Sequence, residues 1–235
     1  MKKTIYFNAS DEYAYEALGK ELYHLVDATR RTTQPIIILC IGTDRVTGDS
    51  LGPLVGHQLH ASANNFIIYG NLEHPVHAIN LEETVDEIYS SYQNPYVIAI
   101  DASLGTRDHI GYVTLRQGPL KPGQGISKDL PSIGDISITG IVNLSGRPGA
   151  FLLQNTRLYT VMKLVDCIAL GIMRKTISPI WKPSLRNKKP LFMHHDTGSP
   201  AIKGHNTVIH RSGAHKMSRT DTRFRPGHFS FYILL

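Results

Sequence analysis

Three short apolar runs constrain this chain most: PIIILCIG at 35–42, FIIYG at 66–70 and YVIAID at 96–101. Each is continuous rather than alternating, and each is rich in β-branched residues. A strand with one wet face alternates apolar and polar side chains. An unbroken run fits a strand covered on both faces, which is the condition of a parallel sheet. Helical patterns fall between the runs. Pro53 suits the first position of a helix reaching about His60, and Asn80-Leu81-Glu82-Glu83 resembles a capping box opening a helix to about Tyr92. Strands alternating with helices imply right-handed βαβ units around a mostly parallel sheet, an α/β fold.

The flanking segments read differently. Residues 10–27 are expected to be helical, with Ser10 as N-cap and Leu18, Leu22 and Leu25 on one face. GYVTLRQG at 111–118 alternates and reads as an edge strand. A Pro/Gly-rich loop follows over 119–135, then a strand, ISITGIV, at 136–142. The stretch from Asn155 to Lys175 reads as one long helix, with Leu158, Val161, Met162, Val165, Ile168, Ala169 and Ile172 at the 3.6-residue period of a core face. This divides the chain into a helical lead-in (1–34), an α/β body (35–178) and a tail (179–235) expected to be mostly disordered.

Charge follows that division. Residues 1–178 hold 15 Lys+Arg against 17 Asp+Glu, whereas residues 179–235 hold 10 against 2. The net charge of +6 therefore belongs to the tail. Nothing marks the body as a specific nucleic-acid binder, and no apolar run approaches the roughly 20 residues that span a bilayer. The N-terminus lacks the apolar core of a signal peptide, and Cys40 and Cys167 sit in apolar stretches as expected buried thiols. A cytoplasmic setting is expected.

The segment CIGTDRVTGDSLGP (40–53) poses the functional question. Its Gly48-Asp49-Ser50-Leu51-Gly52 matches the loose Gly-x-Ser-x-Gly form of a serine-hydrolase elbow. An elbow needs its serine on the sharp turn that ends a strand. Here the first apolar run ends near Gly42, with six residues between it and Asp49, and no Asp-x-x-His occurs in the chain. Ser50 reads better as a helix cap than as a nucleophile. No phosphate-cradling glycine motif is present, so no cofactor is expected.

The carboxylates carry more. Asp101 ends the third apolar run, and Asp49 lies in the loop leaving the first. In an open α/β sheet the carboxyl ends of the strands form the ligand crevice where strand order reverses. If the run at 66–70 lies beyond the run at 36–42, Asp49 and Asp101 face one cleft. Two carboxyls sharing a site raise one pKa and can handle a water as base and acid. Thr43, Asp44, Ser50, Glu73, His77 and Asp135 are the expected cleft-lining residues. Glu73, His74 and His77 have metal-ligand chemistry, but Pro75 argues against the helix that would converge them. No metal is expected.

CIGTDRVTGDSLGPLVG, HPVHAINLEET, IAIDASLG, PLKPGQGISKDLPSIGDISITGIVN and LQNTRL, in this order, resemble the YyaC-type sporulation proteins of endospore-forming bacteria. The resemblance runs from about Pro35 to Lys175. It implies a three-layer α/β/α sandwich shared with the germination protease and the hydrogenase-maturation endopeptidases. TGDSLGP is similar to a TPDALGP-type segment of that protease, and AIDASLG to its AIDALAA-type strand end, which implies catalytic roles for Asp49 and Asp101. The implied activity is peptide hydrolysis in the forespore or spore, with small acid-soluble spore proteins as substrates. The alternative is a non-catalytic spore protein of the same fold that binds a protein or peptide. SGRPGAFLLQNTRL departs from the family's expected form, and the basic tail has no family counterpart.

Overall fold

The computed structural model describes residues 3–62, 67–122, 132–146 and 149–173. The tail at 179–235 and most of the Pro/Gly-rich loop lie outside the described residues. Within them, six strands build one sheet: β1 Thr4–Asn8, β2 Ile36–Cys40, β3 Ile67–Tyr69, β4 Tyr96–Gly105, β5 Tyr112–Gln117 and β6 Ile136–Leu144. The helices are α1 Ala14–Thr29, α2 Leu51–Ala61, α3 Leu81–Ser91, α4 Gly149–Gln154 and α5 Leu158–Met173, with 3₁₀ turns at Thr47–Asp49 and Arg107–His109.

The strand order is β1-β5-β6-β4-β2-β3. β3, β2, β4 and β6 are parallel neighbours, and β5 runs against both β6 and β1. After β2 the chain adds β3 on one side, then returns to place β4 on the other. The order therefore reverses between β2 and β4, which meets the condition that β3 lie beyond β2.

Alternation within the strands sorts the core into two halves. Ile36, Ile38 and Cys40 of β2 and Ile98 and Ile100 of β4 pack with α1, α2 and α5. Ile37 and Leu39 of β2 and Val97 and Ala99 of β4 pack with Leu81 and Ile88 of α3 and with the Leu120–Ile133 bridge. This is the three-layer α/β/α sandwich. Cys40 and Cys167 are both free and buried, and burial pushes the Cys167 thiol up to about 12. Among the described residues no helix is long and apolar enough to cross a membrane.

The outer elements correct several expectations. β1 has no counterpart in the pattern analysis. It forms the sheet edge, so the strand expected there, now β5, is an inner strand. Ser10 does not cap α1. The Asn8 side chain accepts the Ser10 N–H at 3.1 Å and starts a turn, so the helix begins only at Ala14. β1 pairs with β5 in the sheet, and α1 packs on α5. The helix expected from Asn155 is α5, which begins three residues later at Leu158, and α4 precedes it across a break at 155–157. There the Thr156 hydroxyl donates to the Leu152 carbonyl at 2.8 Å.

The crossover after β2 depends on steric fit. α2 starts at Leu51, two residues before Pro53, whose missing N–H falls among the first four that have no helical acceptor. Gly52 and Gly56 share one face of α2. A Cβ on Gly52 would lie 2.0 Å from the Ile41 carbonyl oxygen, and one on Gly56 would lie 1.9 Å from that of Gly70. Both obstacles are backbone, which cannot swing aside. The helix is seated directly on the chain leaving β2 and β3. Gly52→Ala and Gly56→Ala are each expected to cost about 2 kcal/mol or more in urea unfolding. His57→Ala, on the exposed face of the same helix, is expected to change stability by under about 0.5 kcal/mol. A glycine variant as stable as the wild type would show that the seat has slack.

Candidate active site

Strand pairing continues past β2, since the Ile41 N–H donates to the Ile100 carbonyl at 2.7 Å. The chain then turns at Gly42, whose φ of +139° favours glycine. The Gly42 N–H donates to the Val76 carbonyl at 2.8 Å, and Val76 pairs with Ile41, so the loop after β3 is stitched to the same edge. Asp49 is held against this turn. The Thr43 N–H donates to both the Asp49 carbonyl (3.1 Å) and its carboxylate Oδ2 (3.0 Å).

Asp101 follows Ile100 in β4, immediately beside the end of β2. By alternation it lies on the face of Val97 and Ala99. It is 7% exposed, and its Oδ1 accepts the Ala102 N–H at 2.7 Å. Its Oδ2 has no hydrogen-bond partner among the described residues. The two aspartates therefore come from different elements to one edge at the point where strand order reverses.

Their electrostatics are coupled. Burial raises the Asp49 carboxyl to about 6, opposed by the Thr43 N–H. Burial raises Asp101 well above the carboxylate range, the charge of Asp49 raises it further, and the Ala102 N–H opposes both. Asp101 is the more deeply buried of the two, so burial opposes its charge the more strongly.

The other candidates divide. Thr43 is buried beside Asp49, with its hydroxyl accepting the Arg45 N–H at 3.3 Å, while Asp44 points to solvent. Ser50 occupies the N-cap position of α2 but does not cap it. It is 6% exposed, and its hydroxyl donates to the Thr47 carbonyl at 2.7 Å. His77 follows Val76 at the stitched edge, and its N–H donates to the Asn80 side chain at 2.8 Å. Asn80 spends its side chain on this loop instead of closing a capping box. Glu73 is exposed and pairs with His74 at 3.9 Å. Asp135 is not in the crevice. Its carboxylate accepts the Val97 N–H at 2.8 Å, at the amino end of β4 and the opposite edge of the sheet from Asp101. It follows a loop rather than a strand, so the strand-end rule that located Asp101 does not apply. Among the described residues no three His, Cys, Asp or Glu side chains come together as a metal-holding group.

One support went unpredicted. A Cβ on Gly48 would lie 2.7 Å from the Leu153 carbonyl oxygen and 2.8 Å from the Thr156 hydroxyl, so the turn bearing Asp49 packs tightly on the α4–α5 joint. Asn143, near the carboxyl end of β6, holds that joint through Leu152 O (2.8 Å) and the Thr156 hydroxyl (3.2 Å). A polar residue ending an apolar run was the available signal; Asp101 likewise ends an apolar run, although β4 itself continues past it to Gly105.

A family model described as a protein of unknown function (DUF1256) matches residues 6–171. The uncharacterized protein YyaC of Bacillus subtilis (strain 168) is 46% identical over 159 residues, which cover 66% of this chain and 78% of that protein.

The raised carboxyls have a consequence for stability. A carboxyl whose pKa is higher folded than unfolded makes folding take up protons. Stability is then greatest below the ordinary carboxylate range and falls as pH rises through the folded value. For Asp49 the window runs from about 4 to about 6, and the loss is of order 3 kcal/mol. Asp49→Asn is expected to be more stable than the wild type at pH 8 by roughly that amount, and level with it near pH 4. Urea unfolding at the two pH values measures this. Equal pH dependence in both proteins would mean that Asp49 is not desolvated.

Proposed function

We propose that this chain, which belongs to the DUF1256 family of YyaC-like proteins, is a hydrolase whose chemistry rests on the Asp49–Asp101 pair. The observation that carries the reading is the coupling of two unequal, desolvated carboxyls at the reversal point of the sheet. At neutral pH Asp49 is the ionised base and Asp101 the protonated acid. A water bound between them gives a proton to Asp49 as its oxygen bonds to a carbonyl carbon. Asp101 donates its proton to the carbonyl oxygen; as the C–N bond breaks, the leaving amine takes up the proton held by Asp49 and one of the two hydroxyls on the carbon returns its proton to Asp101.

That the bond is a peptide bond, that the substrates are small acid-soluble spore proteins and that the compartment is the forespore are inferences from the resemblance of TGDSLGP and AIDASLG to germination-protease segments. The engaged hydroxyl of Ser50 weighs against a serine esterase. The competing reading, a non-catalytic binding protein of the same fold, draws on the burial of Asp101, which at 7% exposure offers little room for a substrate carbonyl.

Incubation with small acid-soluble spore proteins, followed by mass spectrometry, separates the two. Discrete fragments are expected, with Asp49→Asn and Asp101→Asn each lowering the rate by about 10²–10⁴-fold without unfolding the protein. The rate is expected to rise with pH along an acid limb near 6, as Asp49 ionises. Tight binding without cleavage would favour the binding protein. Cleavage that survives both substitutions would overturn the mechanism.

A further inference from the structure

Asp101 is the first member of a row that crosses the sheet. It lies beside Thr139 of β6, Thr139 lies beside Thr114 of β5, and Thr114 lies beside Tyr6 of β1. Apolar partners fix which face this is. Val113, Leu115, Ile138, Ile100 and Phe7 all belong to the core half under α1 and α5. Alternation therefore sends Asp101, Thr139, Thr114 and Tyr6 to the other face. α1 and α5, which pack on β5, lie on the opposite face, and Tyr6 is 49% exposed.

The row is chemically graded. Next to the carboxyl come linked hydroxyls: Ser103 donates to Thr139 at 3.1 Å, and Thr139 and Thr114 are 2.7 Å apart. Ser103 also reaches the Gly140 carbonyl at 3.3 Å. Three hydroxyls carry three hydrogens. One goes from Ser103 to Thr139 or Gly140, and one lies between the two threonines. The third, on Thr139 or Thr114, has no acceptor among the described residues and lies on the face away from α1 and α5. At the far end three rings gather. The His109 ring lies 4.9 Å from Tyr6 and 5.4 Å from Tyr112, with its Nδ1 held by the Thr106 hydroxyl at 2.9 Å.

We infer that this row is the binding track for an extended polypeptide, with the threonine hydroxyls bonding a substrate backbone carbonyl and the Tyr6–His109–Tyr112 nest taking an aromatic side chain. The inference rests on the Asp49–Asp101 reading for where the track begins. Three strand spacings of about 4.8 Å separate Asp101 from Tyr6, roughly 14 Å, and an extended chain covers that in about four residues. The nest therefore reads a side chain about four residues from the bond at Asp101. A ring-to-ring contact is worth about 1 kcal/mol beyond burial, and a hydrogen bond about the same, which sets the size of the effects.

The test reads binding, so it does not depend on turnover. The full chain, labelled with ¹⁵N, is titrated with the blocked peptides acetyl-Phe-Ala-Ala-Ala-amide and acetyl-Ala-Ala-Ala-Ala-amide. The Phe peptide is expected to shift the amide signals of Tyr6, His109, Tyr112, Thr114 and Thr139 and to bind at least about fivefold more tightly than the Ala peptide. Tyr6→Ala and Thr114→Val are each expected to weaken it about five- to tenfold. Tyr6→Phe and Thr114→Ser, which keep the ring and the hydroxyl, should stay within about twofold. Binding without cleavage would keep the track and remove the hydrolase. Shifts elsewhere, equal affinity for the two peptides, or cleavage with KM unchanged in Tyr6→Ala and Thr114→Val would overturn the track and leave the aspartate pair untouched.

Discussion

The contact on which the rest depends is between backbones: α2 resting on the chain that leaves β2 and β3. Two missing side chains, at Gly52 and Gly56, let the helix approach to a distance that no other residue allows. That approach sets where the crossover begins. It therefore sets where the Thr47–Asp49 turn ends, and so where a carboxyl arrives relative to β4. A helix held further off would still complete a sandwich, because the apolar faces would still match. It would not deliver Asp49 to the same place. Burial drives the layers together without direction. The steric seat supplies the direction.

The aspartates then owe their chemistry to the poverty of their surroundings. Each carboxyl has a backbone N–H as its nearest help, from Thr43 or Ala102, and among the described residues no basic side chain offsets its burial. Desolvation is the largest cause for both groups, and it separates them because Asp101 is the deeper of the two. The mutual charge widens the separation. A lysine or arginine in the crevice would have collapsed this difference by favouring both charges. The same economy extends outward along the row, where uncharged hydroxyls and rings follow the carboxyl.

Legibility in the sequence tracked how local the cause was. β2, β3 and β4 were readable because burial on both faces writes a continuous apolar run. Asp101 was readable because it interrupts one. β1 was hidden, since TIYFN is short and its partner β5 lies more than a hundred residues away. Ser10 misled because a capping residue was present but Asn8 had already claimed its N–H. Asp135 misled because it stands just before β6, at the amino end of its strand, where a carboxylate cannot reach the crevice. Asn143 was overlooked for the converse reason: its position was right and its type attracted no notice. The pairing of Thr139 with Thr114 depends on register across two strands, which no periodicity records.

The pairing of α1 with α5 bears on how the protein is made. α1 is the first helix of the chain and α5 the last of the described ones, and they share one half of the core with Leu18, Leu22 and Val26 on one side and Val161, Leu164 and Ile168 on the other. During synthesis the apolar stripe of α1 emerges early and has no helical partner until α5 follows. β1 likewise waits for β5. The body closes late, through contacts between distant parts of the chain, and such topologies are slow to fold and exposed to aggregation in the interval. A nascent chain of this kind therefore keeps one half of its core open until α5 has been made.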